Sequence, residues 1–450
     1  MSCGCFKNLG SLLRKGKGKQ QQPAPKPAPS PAPAPAPAPA PKPSDPKKTT
    51  PSDGAPGNSA PANGAQPAPS TPQTTQVDLV NQSDGSQPVF AFITGSAINN
   101  NNSVFLLQAD GKTPYYPTNP SSTNAALSTN CAIQLGGPGA TTTCTIPQIA
   151  GGRIWFSYGQ PIQFQLNPGP NGPALVEPSV NNPADPSINI TWDFAEFTYN
   201  SQQLFANISY VDFVSIPVSL DLQATDGSNQ HVAGLPKDGL TTIVNGINQQ
   251  NASDNVGWNK LIVNGPGGQP LRVLSPNSAA VGPNGIDGSY WNSYIDQIWN
   301  QYTNQNFQID TQASYGTVSG QVKNGVLDFG NGITFAKPSG GDVFSCSTGP
   351  FGNAAPEALA ITPRLAAAFN RSTLQLGKVE PSGVTSDQYY QQDPTNHYSR
   401  IVHGANLDHR GYAFPYDDVV PNNGSDVAGT VFSGIPQKLT VTVGGSNAHA

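Results

Sequence analysis

Charge is the scarcest property of this 450-residue chain. Only 11% of its residues are charged, whereas a typical soluble domain has about 25%. The net charge is -5, and a protein that binds nucleic acid needs a basic patch for the phosphates, so the composition excludes nucleic acid as a main partner. Asn, Gln, Ser and Thr supply the polarity instead, together with 47 glycines and 46 prolines. This composition is typical of a loop-rich β protein whose surface suits a neutral polymer such as a polysaccharide.

Cysteine is also rare, and long apolar runs are missing. Five cysteines are too few for a disulfide-dense scaffold. Cys131 and Cys144 are close enough in sequence to close a small loop, but two reduced thiols fit equally well, and Cys346 has no obvious partner. No apolar run approaches the roughly 18 residues that a membrane span requires.

Motifs for metals and cofactors are not evident. His397, His403 and His409 recur every six residues, a spacing that matches neither one helix face nor the common zinc motifs. P-loop, dinucleotide and nucleophile-elbow patterns do not occur in a credible context. We therefore expect neither a metal ion nor a cofactor.

The first 76 residues are predicted to be a disordered tail and linker. The run from Pro23 to Pro43 nearly alternates Pro and Ala, which favours polyproline II and makes a semi-rigid spacer. Before it, Cys3 and Cys5 precede a basic run, without the apolar core of an ordinary secretory signal. Two interpretations stay open: an acylated tether at an anionic membrane or wall, and an unstructured tail or misassigned start. The folded domain is predicted to span residues 77–450.

Within that domain, short β-like runs recur between Gly, Pro and Asn clusters, at 89–94, 103–108, 153–157, 188–199, 213–222 and 439–443. Helical patterns lie mainly in the middle. An aromatic stripe from Tyr290 to Tyr302 has helical spacing, with Asp287 or Ser289 as its cap, and a second helix is predicted to begin near Thr362 and Pro363. Strands at both ends with helices between them predict an α+β, mostly β protein, with a mixed subdomain inserted at roughly 225–395.

A rare glutamate is the most informative residue. The chain has four glutamates, and Glu196 alone lies inside an apolar strand pattern, sixteen positions before Asp212. An unpaired buried carboxylate is costly, so such a group is usually paired, hydrogen-bonded or functional. Strand parity places one set of side chains on a common face: Ile188, Ile190, Trp192, Phe194, Glu196 and Thr198.

A hairpin would bring the two carboxylates together. A turn centred on residue 204 pairs Glu196 directly with Asp212, at about 5 Å between Cβ atoms, and a centre one residue away makes them diagonal neighbours at about 7–8 Å. Inverting glycosidases hold their carboxyl groups about 6.5–9.5 Å apart, and retaining ones about 5–5.5 Å. The diagonal register therefore predicts inversion.

Other carboxylates fit structural roles better. Asp193 has the opposite parity from Glu196 and is interpreted as a structural or rim residue. The adjacent Asp417 and Asp418 are interpreted as organisers of a loop.

These segments carry a family resemblance that covers roughly residues 77–443. The anchors are the runs 192–198, 204–214, 290–294, 395–400 and 412–418, which read WDFAEFT, LFANISYVDFV, YWNSY, TNHYSR and YAFPYDD. Together they resemble glycoside hydrolase family 64, the β-1,3-glucanases of the thaumatin-like superfamily.

The resemblance implies a thaumatin-like β-sandwich or barrel domain with a mixed α/β subdomain across a wide groove. It also implies inverting endo-hydrolysis of β-1,3-glucan, with Glu196 as general acid and Asp212 as general base. Substrate contacts are implied for Thr198, Asn200, Phe205 and Ser209, the last two where the family carries a tryptophan and a threonine.

Two classes of function therefore remain open at the level of sequence. One is an active endo-β-1,3-glucanase, and the other is a non-catalytic glucan-binding or antifungal wall protein on the same scaffold. Because a pure binder has no need of both Glu196 and Asp212, their presence favours the enzyme. The resemblance further implies a protein that is extracellular or associated with the cell wall, and we also expect a monomer.

Overall fold

The computed structural model describes residues 71–280 and 285–445. The tail and linker predicted for the first 76 residues, with Cys3 and Cys5, therefore lie almost wholly outside the described residues. The described residues belong to one compact unit. Within the described ranges, no helix combines the length and the apolar character needed to cross a membrane.

Strands make up most of the regular structure, as predicted. In chain order they are β1 Thr74–Asn81, β2 Val89–Ala97, β3 Ser103–Leu107, β4 Pro114–Tyr115, β5 Ala125–Ala126, β6 Ile133–Gln134, β7 Thr141–Pro147, β8 Ile149–Tyr158, β9 Gln165–Asn167, β10 Ala174–Val176, β11 Thr191–Tyr199, β12 Leu204–Ile208, β13 Phe213–Val214, β14 Val218–Ala224, β15 Asn229–Val232, β16 Ile262–Asn264, β17 Pro270–Leu274, β18 Phe307–Asp310, β19 Thr317–Lys323, β20 Val326–Asp328, β21 Thr334–Phe335, β22 Thr430–Ser433 and β23 Pro436–Val443.

The helices are fewer. They are α1 Gly239–Asp254, α2 Pro276–Ala280, α3 Asn292–Asn304, α4 Gly340–Ser345, α5 Pro356–Arg371 and α6 His397–Ala405. Short 3₁₀ turns lie at Ile98–Asn100, Trp258–Leu261, Gly349–Gly352, Leu374–Leu376 and Ser386–Gln388. Within the described ranges, all six helices lie between β15 and β22 in the sequence, together with the small sheet β18-β19-β20-β21. A second small sheet, β13-β17-β16, joins two strands of this region to β13, which precedes β14.

Two larger sheets share one hydrophobic core. The first has the order β15-β14-β23-β1-β7, and β1 pairs in parallel with β23, which brings the two ends of the described chain side by side. The second has the order β22-β12-β11-β8-β2-β3-β4, with β6 also paired to β2. Val77 and Leu79 on β1 alternate with more exposed residues, the pattern of strands buried on one face.

Two of the predicted strands differ from the observed strands in their extent. The run predicted from Ile188 begins as a strand only at Thr191. The run predicted at 213–222 is interrupted between β13 and β14, because the buried carboxylate of Asp193 accepts the backbone N–H groups of Ser215 and Ile216 at 2.8 and 2.9 Å. At this point the Asp193 carboxylate, rather than a neighbouring strand, is the acceptor of the backbone N–H groups.

The aromatic stripe was correctly interpreted as core, but both predicted helix starts were wrong. Tyr294, Ile298 and Tyr302 are buried on α3, yet the helix begins at Asn292, and no side chain caps it. α5 begins at Pro356, where a proline suits the first turn, rather than near Thr362. Pro363 lies inside α5, and the helix continues past it because its buried apolar side extends in both directions.

Candidate active site

Glu196 lies in the middle of the second large sheet. It faces Arg153 on β8 and Asn207 on β12 in the strand register. Ala195 and Phe197, the neighbours of Glu196, point to the opposite side and are buried in the core, whereas the Glu196 side chain is 32% exposed. We call the open side of β11 and β12 the Glu196 face; it carries Glu196, Thr198, Phe205 and Asn207.

The predicted register of the β11–β12 hairpin is wrong. Asn207, not Asp212, lies opposite Glu196, and strand pairing ends at Ala195 with Ile208. The reason is the turn: the Asn200 side-chain oxygen accepts the N–H groups of Gln202 and Gln203, at 2.9 and 3.0 Å. This Asx-type turn closes the hairpin earlier than the predicted centre at residue 204. Asp212 consequently follows the strand in a loop.

That loop is held from three directions. The backbone N–H of Tyr210 donates to the carbonyl of Tyr412 at 2.7 Å, and the hydroxyl of Tyr398 on α6 donates to the carbonyl of Tyr210 at 2.6 Å. The backbone carbonyl of Asp212 accepts from Ser275 N–H at 2.9 Å, and its Oδ1 lies 3.5 Å from the hydroxyl of Ser278. Two anchors of the family resemblance, around residues 395–400 and 412–418, therefore fix the position of Asp212.

Arg153 connects the carboxylates of the site. Its Nε donates to Oε1 of Glu196 at 3.2 Å, and its Nη1 donates to Glu177, the residue after β10. The guanidinium carbon lies 4.7 Å from the ring centre of Phe194. Burial opposes the charge of Arg153, but Glu177, Glu196 and Asp212 outweigh it and raise the pKa of Arg153. One cation therefore interacts electrostatically with both predicted catalytic carboxylates.

The sequence reasoning missed both Arg153 and Glu177. A signal was present for Arg153, which lies two positions before Trp155 in a strand-like run and therefore on the same strand face as that tryptophan. A charged side chain on such an apolar face needs a counter-ion. Its partners lie 24 and 43 positions away, and single-sequence patterns do not carry such pairings.

Asp193 is a structural residue, as interpreted from its parity. It is 1% exposed, on the core side of β11. Burial raises the pKa of Asp193 to about 7, while hydrogen bonds from Phe194, Ser215 and Ile216 and the charge of Arg272 act in the opposite direction. Asp193 holds the segment that follows Asp212, so it supports the site from the opposite face of the same strand.

The four predicted substrate residues lie at different places along the hairpin. Thr198 and Phe205 pair with each other on the Glu196 face, and both are half-buried. Asn200 lies in the turn, where its side-chain oxygen is engaged. Ser209 is 5% exposed beyond the other end of β12, where it forms a bridge with Tyr412.

The histidines and the adjacent aspartates organise structure. Asp417 is fully buried, and its carboxylate accepts from Arg371 at 3.0 Å and from the backbone N–H of Ala413 at 2.9 Å, while Nε2 of His403 lies 2.8 Å away. This agrees with the interpretation of Asp417 as an organiser of its loop. Among residues 71–280 and 285–445, no group of three or more His, Cys, Asp or Glu side chains could hold a metal ion. Cys131, Cys144 and Cys346 are free and buried, which resolves the two alternatives in favour of thiols.

Comparison with known proteins agrees with this geometry. The model of the family Glyco_hydro_64, described as Beta-1,3-glucanase, matches residues 73–443. Curated relatives named glucan endo-1,3-beta-glucosidase, from Arthrobacter sp. (strain YCWD3) and Cellulosimicrobium cellulans, are each 29% identical over 290 residues. The match covers 62% of this chain and 50% of each relative, so the chain spans about half the length of these curated relatives.

Solved structures agree as well. A laminaripentaose-producing beta-1,3-glucanase in complex with laminaritetraose is 29% identical, with a TM-score of 0.73, over 82% of this chain and 98% of that one. A beta-1,3-glucanase domain from Clostridium beijerinckii shares the fold, at 20% identity and a TM-score of 0.65, over the same shares of the two chains. Because the family model covers nearly all the described residues, and the fold is shared over almost the whole of these relatives, the chain belongs to glycoside hydrolase family 64.

Proposed function

We propose that this protein is an endo-β-1,3-glucanase that hydrolyses β-1,3-glucan with inversion, Glu196 acting as general acid and Asp212 as general base. The observation that carries the proposal is the arrangement around Arg153, whose Nε donates to Glu196 at 3.2 Å. Asp212, held by Ser275 and Ser278 in a different segment, interacts with the same cation. Glycoside hydrolysis needs such a pair of carboxyl groups around one glycosidic bond. The names of the relatives point to the same substrate.

In this mechanism Glu196 donates a proton to the leaving oxygen while Asp212 activates a water on the other side of the sugar. Asp212 lies beyond the strand pairing. A direct cross-strand pair at about 5 Å, which would resemble a retaining site, is therefore not formed. Arg153 fixes the position of the Glu196 carboxylate, since its own orientation is set by Glu177 and by the ring of Phe194. A side chain locked in this way loses little entropy in the reaction.

Sugar binding is assigned to the rest of the Glu196 face. Thr198 offers a hydroxyl two positions after Glu196, and Phe205 offers an apolar ring beside it. Asn200 and Ser209 contribute at the two ends of the hairpin, Asn200 through its amide nitrogen because its oxygen already caps the turn. Phenylalanine and serine at positions 205 and 209, in place of the family's tryptophan and threonine, provide a smaller stacking surface and a smaller side chain.

The finer architecture is part of the proposal. The first and second large sheets form a thaumatin-like sandwich, and the inserted mixed subdomain, at roughly residues 225–395, contains α1 to α5 and the small sheet β18-β19-β20-β21. The loop of Asp212 lies where the two parts join, because its backbone carbonyl accepts from the N–H of Ser275 at 2.9 Å. A wide groove along the Glu196 face would admit an internal stretch of glucan, as endo-cleavage requires. We further propose a monomer that works outside the cell or at the cell wall, with residues 1–76 as a spacer.

Hydrolysis is tested with the full chain on soluble laminarin and insoluble curdlan, by measuring new reducing ends and the product lengths. Proton NMR of the first products reports the stereochemistry: inversion of a β-linkage gives the α anomer. Release of oligosaccharides with that anomer supports the proposal, and first products of β configuration would overturn inversion. Binding to curdlan without any release of sugar would instead support the non-catalytic glucan-binding alternative.

A further inference from the structure

An aromatic side chain that the sequence reasoning did not single out extends the Glu196 face. Phe205 on β12 pairs with Thr198 on one side and with Phe432 on the edge strand β22 on the other. Directly paired residues of neighbouring strands point to the same side of a sheet. Phe432 is 39% exposed, while Val431 and Ser433, which alternate with it, are buried. Thr198, Phe205 and Phe432 thus form one row across three strands.

This row runs beside the row that contains the predicted acid. Glu196, Asn207 and Thr430 form the adjacent row on the same strands, two residues along. With strands about 4.8 Å apart and about 3.4 Å per residue, Phe432 lies roughly 12 Å from Glu196 in the sheet. That separation is a few sugar units at most, so a glucan chain bound at Glu196 and directed across β12 would reach Phe432.

The edge strand that carries Phe432 is fixed by side chains. The Gln230 amide on β15 accepts from the backbone N–H of Phe432 at 2.9 Å and donates to its carbonyl. The carbonyl of Thr430 accepts from Arg410 at 2.8 Å, and the N–H of Thr430 donates to Asp426 at 2.8 Å. An edge strand with open hydrogen-bonding groups invites pairing with another chain. Here those groups are occupied, so β22 is a rigid support and not a site for strand addition.

We propose that Phe205 and Phe432 form an aromatic platform on which β-1,3-glucan stacks at a distance from the cleavage point, so that Phe432 determines the preference for longer chains. This inference rests on the proposed function and specifies its substrate binding. The apolar C–H faces of a sugar ring pack on aromatic rings, and Phe432 is 39% exposed, so a bound sugar would bury more of its apolar surface.

The test measures binding separately from hydrolysis. In the Glu196→Gln background, affinities for laminari-oligosaccharides of increasing length are measured by calorimetry, with and without Phe432→Ala. Phe432→Ala should weaken binding of the long oligosaccharides roughly fivefold to twentyfold and leave that of the shortest ones nearly unchanged. Phe432→Trp should restore or strengthen it. The control is Tyr315→Ala, which removes an aromatic ring that is 42% exposed in the loop after β18.

Each outcome decides a different question. Equal affinities of the Phe432→Ala variant and its parent at every length would overturn the platform, as would the same loss at all lengths. The same length-dependent loss in Tyr315→Ala would show a nonspecific effect and also overturn it. The hydrolase proposal would be overturned if the wild-type protein did not hydrolyse laminarin. The platform would still stand in that case if Phe432→Ala weakened the binding of long oligosaccharides only.

Discussion

Two acidic residues on one strand, three positions apart, have opposite environments. Asp193 is on the core side of β11, 1% exposed, and its carboxylate accepts backbone N–H groups from Phe194, Ser215 and Ile216. Glu196 is on the open side, 32% exposed, and its carboxylate accepts from the side chain of Arg153 rather than from backbone donors. A carboxylate that is saturated by backbone donors holds the fold, whereas one with a free side towards solvent can exchange a proton with a substrate.

The largest effect is expected at Glu196. Glu196→Gln keeps the shape of the side chain but removes the transferable proton, so hydrolysis of laminarin should fall about 10³-fold, within the range of general acid catalysis. The melting temperature should stay close to that of the wild type, because the side chain is partly exposed. A variant that keeps most of its activity would contradict the assignment of Glu196.

Asp193 should behave in the opposite way. Asp193→Ala leaves the N–H groups of Ser215 and Ile216 without their acceptor, which should lower the free energy of unfolding by about 3 kcal/mol. Chemical denaturation measures this loss. Activity per folded molecule should remain within a few fold of the wild type below the melting transition. A loss of activity as large as that of Glu196→Gln in a fully folded variant would break the comparison, because Asp193 would then do more than hold the segment after Asp212.

Arg153 should have an intermediate effect. Arg153→Lys keeps the charge but cannot place two donors on Glu196 and Glu177 with the same fork geometry. We expect kcat to fall roughly tenfold to a hundredfold, because misplacing a catalytic group by about 1 Å costs about that much. KM should change less. The matched control is Arg364→Lys on α5, which alters hydrogen bonds to Gln312 in the loop after β18. An equal loss of kcat in both variants would indicate a general loss of structure.

The gentlest effect is the pH dependence of stability. The pKa of Asp193 is raised to about 7 in the folded protein, against about 3.9 in the unfolded chain. The folded state therefore binds the proton of Asp193 more tightly than the unfolded chain does. The resulting stabilisation of the fold is complete below about pH 4 and is lost as the pH rises through about 7. The slope is at most about 1.4 kcal/mol per pH unit. Denaturation curves between pH 4 and 8 should show this decline in the wild type and a flatter profile in Asp193→Asn. Parallel profiles would show that Asp193 does not titrate in this range.

The sequence predicted the two faces of β11 but not what lies opposite them. Parity alone separates Asp193 from Glu196, because it depends only on the pleat of a strand. The partner of Glu196 depends on the turn, and Asn200 closes that turn a few residues early. Arg153 and Phe432 reach the site from strands that are distant in the sequence, and such pairings follow from the register of a whole sheet. The loop of Asp212 likewise depends on Tyr398, which arrives from α6.

The most direct test of the central claim, that Glu196 protonates the leaving group and Asp212 activates water, varies the leaving group. Aryl β-laminariosides with a strongly acidic phenol need little protonation as the bond breaks. On these substrates Glu196→Gln should recover most of the activity that it loses on laminarin, while Asp212→Asn should remain inactive on both, because water must still be activated. Equal losses of Glu196→Gln on both substrates, or a recovery of Asp212→Asn on the activated ones, would contradict this division of roles.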